Sequence, residues 1–248
     1  QRWWIGTRLD WTEIPARLLD KQYARELAAG IDPRRATPSI ELAGDIPIAA
    51  ESQQTTHLSV VDRQGAAVSL TYTLEESFGS RVVVAGGGFL LNDEMNDFNW
   101  LPGVTDRTGR IGTLPNQIAP GKRMLSSMCP IVVRRNGRTL LVTGSPGGRT
   151  IVNTVLGMVV NVVDFDMEIR QAVDAPRLHH QWFPDQVRLE PALAKNFAGA
   201  VEQLRQRGHL IADKIEPQGD AHSIWIDPRT GELVGAADRR ESGSAAGY

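Results

Sequence analysis

The sequence is poor in cysteine, with Cys129 as the only one in 248 residues. A lone thiol excludes an intramolecular disulfide and a cysteine-built zinc site, and it leaves the redox compartment open. An excess of one charge is also missing, because 27 Lys+Arg face 29 Asp+Glu for a formal net charge of −2. Arg63, Arg81, Arg134, Arg135, Arg138, Arg239 and Arg240 are scattered among acids, which argues against a nucleic-acid binder. Long hydrophobic runs are absent. Val155 to Val163 is interrupted by Gly157 and Asn161 and falls well short of the roughly 18 apolar residues of a membrane span. The chain opens on Gln1-Arg2-Trp3-Trp4, without Met or a basic-then-apolar leader, and so reads as a processed product or a fragment. What is present is 41% hydrophobic residues, the composition of a soluble globular protein with one large domain or two small ones.

From Pro15 to Ile31 the apolar residues recur at three- and four-residue steps and predict an amphipathic helix stopped by Gly30 and Pro33. Residues 33 to 54 carry Pro33, Pro38 and Pro47 and a polar end, an exposed connector by pattern. His57 to Asp62 and Ala67 to Leu74 read as a hairpin across Arg63-Gln64-Gly65, with Val60, Val68, Leu70 and Tyr72 on its apolar face. Asn99 to Lys122 is rich in proline and glycine and has the length of an active-site lid. A second hairpin joins Ile131 to Arg134 with Thr139 to Thr143 through Asn136-Gly137. The glycine-rich Gly144 to Gly148 then runs into Thr150 to Val163, read as a helix buried on most sides. Such a strand, turn and helix aim backbone N–H groups at an anion. Glu168 to Ala175 and Ala192 to Arg207 predict helices. Val187 to Leu189, Leu210 to Ala212, Ser223 to Ile226 and Leu233 to Ala236 predict strands, the last two joined at Asp227 to Gly231. Hairpins with separate helices favour an α+β layered domain.

Several short strings stand out in order: Thr55-Thr56-His57-Leu58-Ser59, Asn92 to Phe98, Pro120 to Met128, Thr143 to Gly148, and Asp174-Ala175-Pro176-Arg177 through Trp182. Together they resemble the small subunit of the gamma-glutamyltranspeptidases (glutathione hydrolases), from Thr55 to Tyr248. Residues 1–54 resemble the C-terminal end of that family's large subunit, and residues 55–248 its small-subunit catalytic region.

The resemblance implies an αββα sandwich of the N-terminal-nucleophile hydrolase type, whose precursor cuts its own chain before a threonine. Here the cut would fall between Gln54 and Thr55, where the family more often has Asn before the break. A threonine hydroxyl is a weak nucleophile and needs a base. The freed α-amino group, with a pKa of about 7.7–8.0, would supply one on the same residue. By the same resemblance Thr73 orients the nucleophile, and Glu75, Glu94 and Asp97 hold the substrate α-ammonium group. Ser126 and Ser127 bind its α-carboxylate, and Gly147 and Gly148 form the backbone oxyanion hole. Members vary between amide and acid at the first two ammonium positions, and this chain has acid at both.

The expected activity is γ-glutamyl amide hydrolysis or transfer on glutathione-like compounds, with no cofactor and no metal. The upstream large-subunit portion of the precursor is the expected partner, neither nucleic acid nor a membrane span is involved, and the compartment is periplasmic or extracellular. Cephalosporin acylases and poly-γ-glutamate hydrolases share the pattern and are one alternative. An inactive, unprocessed fragment is another. A lid tyrosine common in the family is replaced at the matching place by Thr108. The large-subunit arginine that pairs with the substrate carboxylate would lie upstream of this chain. His179-His180 lacks a third ligand in metal spacing and reads as structural beside Trp182. Cys129 follows Met128 in an apolar run, with no histidine near it in sequence to act as a base, and does not read as a nucleophile.

Overall fold

The computed structural model describes residues 16–43, 54–99 and 116–247. Its first segment holds a 3-10 turn, Ala16–Leu19, then helices α1 (Lys21–Ala29) and α2 (Ser39–Ala43). The single helix expected from Pro15 to Ile31 is divided at Asp20. That residue has extended backbone and its carboxylate accepts the Gln22 N–H at 2.8 Å, so it begins a new helix rather than continuing one. The connector is not wholly exposed either, because Ser39 is buried. Its N–H and hydroxyl both donate to Asp185 at 2.8 Å, and its carbonyl accepts the Trp182 indole N–H at 2.9 Å.

Strands β1 (Gln54–Val61) and β2 (Ala67–Glu75) form the first antiparallel hairpin. The Asp62 carboxylate nucleates its turn by accepting the N–H groups of Gln64 and Ala66. Strands β3 (Ile131–Arg135) and β4 (Arg138–Thr143) form the second, with Asn136 and Gly137 at φ 52° and 78°, the pair of positive angles that a tight hairpin turn requires. Helices α3 (Thr150–Val163) and α4 (Ile169–Asp174) follow, then the two-residue strands β5 (Leu178–His179) and β6 (Arg188–Leu189). The helix expected from Ala192 to Arg207 is two, α5 (Pro191–Asn196) and α6 (Ala198–Gln206), parted at Phe197. Leu210 to Ala212 contributes only a bridge from Ile211 to Val187. The chain closes with β7 (Ser223–Ile226) and β8 (Leu233–Ala236).

The main sheet is antiparallel in the order β3-β4-β7-β8. On one face, Leu141 and Ala236 pack with Met158 and Val162 of α3 and with Ile169, Ala172 and Val173 of α4. Helix α3 buries one stripe rather than most of its surface, since Val152 and Leu156 remain exposed. The β1–β2 hairpin covers the other face of the sheet, against β4 and β7. Its inward side is polar, and it is fixed by hydrogen bonds: Ser69 Oγ donates to the Thr143 carbonyl at 2.8 Å and accepts the Ile131 N–H at 3.1 Å. Its apolar side faces outward, with Val60, Val68, Leu70 and Tyr72 between 43% and 60% exposed. Helices, sheet and hairpin thus stack as α, β, β, with an open apolar surface beyond the second β layer.

Candidate active site

Strand alternation places Thr55 and His57 of β1 on the same side as Thr71, Thr73 and Glu75 of β2. Thr55 lies directly opposite Thr73, and the register is irregular between Gln54 and Thr55. The Thr73 hydroxyl accepts the Glu75 N–H at 2.8 Å. Glu75 ends β2 at φ 75° with its side chain buried, a left-handed conformation that costs a non-glycine residue about 1–3 kcal/mol and concentrates at functional positions.

The Glu94–Asp97 3-10 turn is stapled to that strand end. Asp93 donates its N–H to the Leu74 carbonyl at 3.1 Å and its carboxylate accepts the Glu76 N–H at 3.1 Å. Glu75 Oε2 and both carboxylate oxygens of Glu94 are buried, with no hydrogen-bond partner among the described residues. Burial raises the Glu75 carboxyl to about 7, opposed by a hydrogen bond with Asn96 and reinforced by the negative charges of Asp93, Asp97 and Glu76. Burial likewise raises Glu94 to about 7, reinforced by Asp97, Glu75 and Asp93. The structure therefore gathers Glu75, Glu94 and Asp97 into one acidic cluster. Buried carboxylate oxygens without partners are what a cationic ligand would satisfy.

Asn116 joins this cluster to the serine segment. Its amide donates to the Asp97 carbonyl at 2.6 Å, its backbone carbonyl accepts the Asn99 N–H at 2.9 Å, and its Oδ1 accepts the Leu125 N–H at 2.9 Å. Ser126 and Ser127 follow at once, both half-buried, and Ser126 Oγ accepts the Met128 N–H at 3.2 Å. Residues 100–115, which hold most of the expected lid and Thr108, lie outside the described residues.

The glycine turn is held against β1 by His57. The His57 ring is buried, with Nδ1 2.8 Å from Thr71 Oγ1 and Nε2 3.1 Å from Ser59 Oγ. A Cβ on Gly144 would stand 2.2 Å from this ring, so only glycine permits the approach. Burial and the neighbouring His222 push His57 down to about 4, which keeps it neutral. Gly147 and Gly148 adopt φ 128° and 53°. Their carbonyls serve the first turn of α3: Gly147 O accepts the Thr150 N–H at 3.0 Å and hydroxyl at 2.8 Å, and Gly148 O accepts the Ile151 N–H at 3.2 Å. The two glycines thus stand immediately before a helix N-terminus, where donors are available to an anion.

Three features escaped the sequence reading. Asn116 sits in a stretch without periodicity, so nothing marked it as a brace. His57 was visible inside the Thr55 string but carried no role there. The third is a buried ion network: Arg240 donates to both oxygens of Glu190 at 2.6 Å and to Asp238 Oδ1 at 3.0 Å, while Arg177 donates to Asp238 Oδ2 at 2.7 Å. Arg177 lies within the Asp174 to Trp182 string, whereas Asp238 lies 61 positions further along the chain. His179 instead meets Gln181 at 3.0 Å, and His180 approaches Asp185 at 3.3 Å. Among the described residues, no group of three His, Cys, Asp or Glu could hold a metal ion. Cys129 is half-buried with its thiol pushed up by burial, the opposite of an activated nucleophile.

The gamma-glutamyltranspeptidase family model matches residues 1–248. The glutathione hydrolase proenzyme of Escherichia coli is 44% identical over 232 residues, which cover 93% of this chain and 39% of that protein. The chain thus spans about two fifths of the length of this curated relative. A gamma-glutamyltranspeptidase from Pseudomonas nitroreducens, solved in complex with L-DON, superposes with a TM-score of 0.69 at 42% identity, covering 78% of this chain and 99% of that one. A cephalosporin acylase from Bacillus halodurans superposes with a TM-score of 0.70 at 27% identity, covering 94% of this chain and 39% of that one. These neighbours carry the N-terminal-nucleophile hydrolase fold that the layered α+β architecture shares.

Proposed function

The chain belongs to the gamma-glutamyltranspeptidase family, and from that premise we propose that it forms the catalytic portion of a γ-glutamyl amide hydrolase and transferase. In this reading residues 1–54 end a large subunit, residues 55–248 form the small subunit, and self-cleavage between Gln54 and Thr55 frees the Thr55 α-amine. That amine takes the proton of the Thr55 hydroxyl as its oxygen adds to the substrate γ-carbonyl carbon. The resulting oxyanion rests on the N–H groups of Gly147 and Gly148. Collapse returns the proton to the departing amine and leaves a γ-glutamyl ester on Thr55, which water or an acceptor amine then cleaves. Thr73, opposite Thr55, orients the nucleophile. Ser126 and Ser127 hold the α-carboxylate.

The observation that carries the reading is the set of buried oxygens on Glu75 and Glu94 that have no hydrogen-bond partner among the described residues. An α-ammonium group supplies the positive charge and the donors that these atoms lack. A glutaryl side chain, the acyl group expected of a cephalosporin acylase, supplies neither, so the likeness to the Bacillus halodurans acylase favours the fold and not that substrate. The outward apolar face of β1 and β2 favours a covering partner, for which the upstream portion of the same precursor is proposed. Among the described residues no helix is long and apolar enough to cross a membrane, and a periplasmic or extracellular site belongs to the proposal.

The test is Thr55→Ala, expressed together with the upstream portion. Both the fragment that begins at residue 55 and the release of p-nitroaniline from γ-glutamyl-p-nitroanilide are expected to disappear. Thr55→Ser should cleave slowly and keep some turnover. Wild-type turnover by Thr55→Ala would overturn the assignment.

A further inference from the structure

We propose that Asp220 and His222 are positioning residues that hold the Gly144–Gly148 turn against the nucleophile strand. The inference rests on the acyl-enzyme reading above and concerns groups that reading leaves unused.

His222 Nε2 lies 3.0 Å from Asp220 Oδ2, and Asp220 is 5% exposed. The short segment that carries this pair touches both halves of the site. On the turn side, the Asp220 N–H donates to Ser145 Oγ at 2.8 Å and the His222 N–H to the Gly144 carbonyl at 3.3 Å. Gly219, at φ 66°, packs so closely that a Cβ on Gly147 would stand 3.2 Å from its Cα. On the strand side, Ser59 Oγ of β1 donates to the His222 carbonyl at 2.9 Å. The ring itself is wedged, because a Cβ on Gly243 would meet it at 2.2 Å. One segment therefore spans the turn proposed to stabilise the oxyanion and the strand that begins at the nucleophile, and it is held both by the bond between residues 220 and 222 and by the Asp238 carboxylate, which accepts the Ala221 N–H at 2.8 Å. Oxyanion-hole donors act only when aimed at the developing charge, so a small shift of this segment would lower turnover and leave substrate binding largely alone.

Asp220, Asp238 and Glu241 face His222 with negative charge, and their field together with the Asp220 hydrogen bond lifts the imidazole above its ordinary value against the opposing effect of burial. His57 also faces it and is neutral, while Arg177 and Arg240 pair with Asp238. The bond is charge-assisted at lower pH and becomes an ordinary one, still donated by Nε2–H, as pH rises through the lifted His222 value. Turnover then acquires a descending alkaline limb that belongs to His222.

The experiment measures kcat and KM for γ-glutamyl-p-nitroanilide from pH 5.5 to 9.5, with the chain co-expressed with its upstream portion. His222→Ala and Asp220→Asn are expected to lower kcat about tenfold or more with KM changed by less than about threefold. His222→Gln, whose neutral amide can still donate to Asp220, is expected to keep at every pH the lower kcat that wild type shows above the His222 value, and so to lose the alkaline limb. Wild-type kcat in both His222→Ala and Asp220→Asn, or a pH profile of His222→Gln that superimposes on wild type, overturns the proposal. If the wild-type protein releases no p-nitroaniline, the γ-glutamyl reading fails, and amide exchange of the 144–148 peptide decides the positioning claim. Faster exchange in His222→Gln and Asp220→Asn than in wild type upholds it, and equal rates overturn it.

Discussion

The Thr73 hydroxyl accepts the backbone N–H of Glu75 at 2.8 Å and so holds a buried glutamate at φ 75°. Thr73 also lies opposite Thr55, so one side chain braces the proposed ammonium site and faces the proposed nucleophile. Thr73→Val, which keeps the shape and removes the acceptor, should lower kcat/KM by roughly tenfold or more, the size expected when a buried donor loses its partner at about 1–3 kcal/mol. Thr73→Ser should retain most activity. Equal kcat/KM in Thr73→Val and wild type would remove Thr73 from the site.

Glu75 and Glu94, both raised to about 7, give the substrate affinity a pH dependence of definite sign. A carboxyl whose folded value lies above its unfolded value stabilises the free protein while protonated, and that contribution is lost as pH rises toward 7. A bound ammonium favours the ionised forms. KM for a γ-glutamyl anilide should therefore fall as pH rises through about 7, and Glu94→Gln should flatten the dependence. A KM that climbs over the same interval would contradict the assignment of the acidic cluster.

Gly147→Ala tests the glycine turn. A Cβ at this position would stand 2.5 Å from Thr150 Oγ1, at a φ of 128° that an L side chain rarely adopts. The expected result is a fall in kcat of roughly 10²–10³, the size of losing one oxyanion donor. Circular dichroism should match wild type, since the strain is confined to the turn.

The network of Arg240, Glu190, Asp238 and Arg177 is a matter of stability. Arg240 donates to Glu190, whose carboxylate also accepts the N–H groups of Arg177 and Gln218 at 2.8 Å. Arg240→Leu would strand buried acids, at a cost of about 3–5 kcal/mol, and should lower Tm by roughly 6–20 °C in a protein of this size. Arg205→Leu breaks only an exposed pair with Glu202 and should leave Tm nearly unchanged. Thermal unfolding of the two variants side by side checks the contrast.

Local chemistry was legible in the sequence wherever it is written in neighbouring residues. The Asn136-Gly137 turn, helix Thr150–Val163 and the hairpin of Ser223–Ile226 with Leu233–Ala236 follow directly from turn signals and apolar spacing. Apolar periodicity runs from Pro15 to Ile31 across Asp20, which caps the start of α1, and periodicity alone does not reveal a cap. The inward face of the first hairpin was hidden for another reason. Its residues are polar, and their partners, such as the Thr143 carbonyl and the His222 carbonyl, lie 74 and 163 positions away. The acids of the candidate site were named from resemblance, while their burial and missing partners became visible only when β2 met the Glu94–Asp97 turn. Ser39 in the connector shows the same limit, since its anchor Asp185 is 146 residues distant.

The central claim is that Thr55 carries the acyl group. The most direct measurement is to quench wild-type turnover of a γ-glutamyl substrate in acid, digest the protein and weigh its peptides. A γ-glutamyl adduct on the peptide that begins at Thr55, fragmenting to the threonine hydroxyl and absent from Thr55→Ala, is the predicted result. Turnover with the adduct on another residue, or with that peptide still joined to Gln54, would contradict the account.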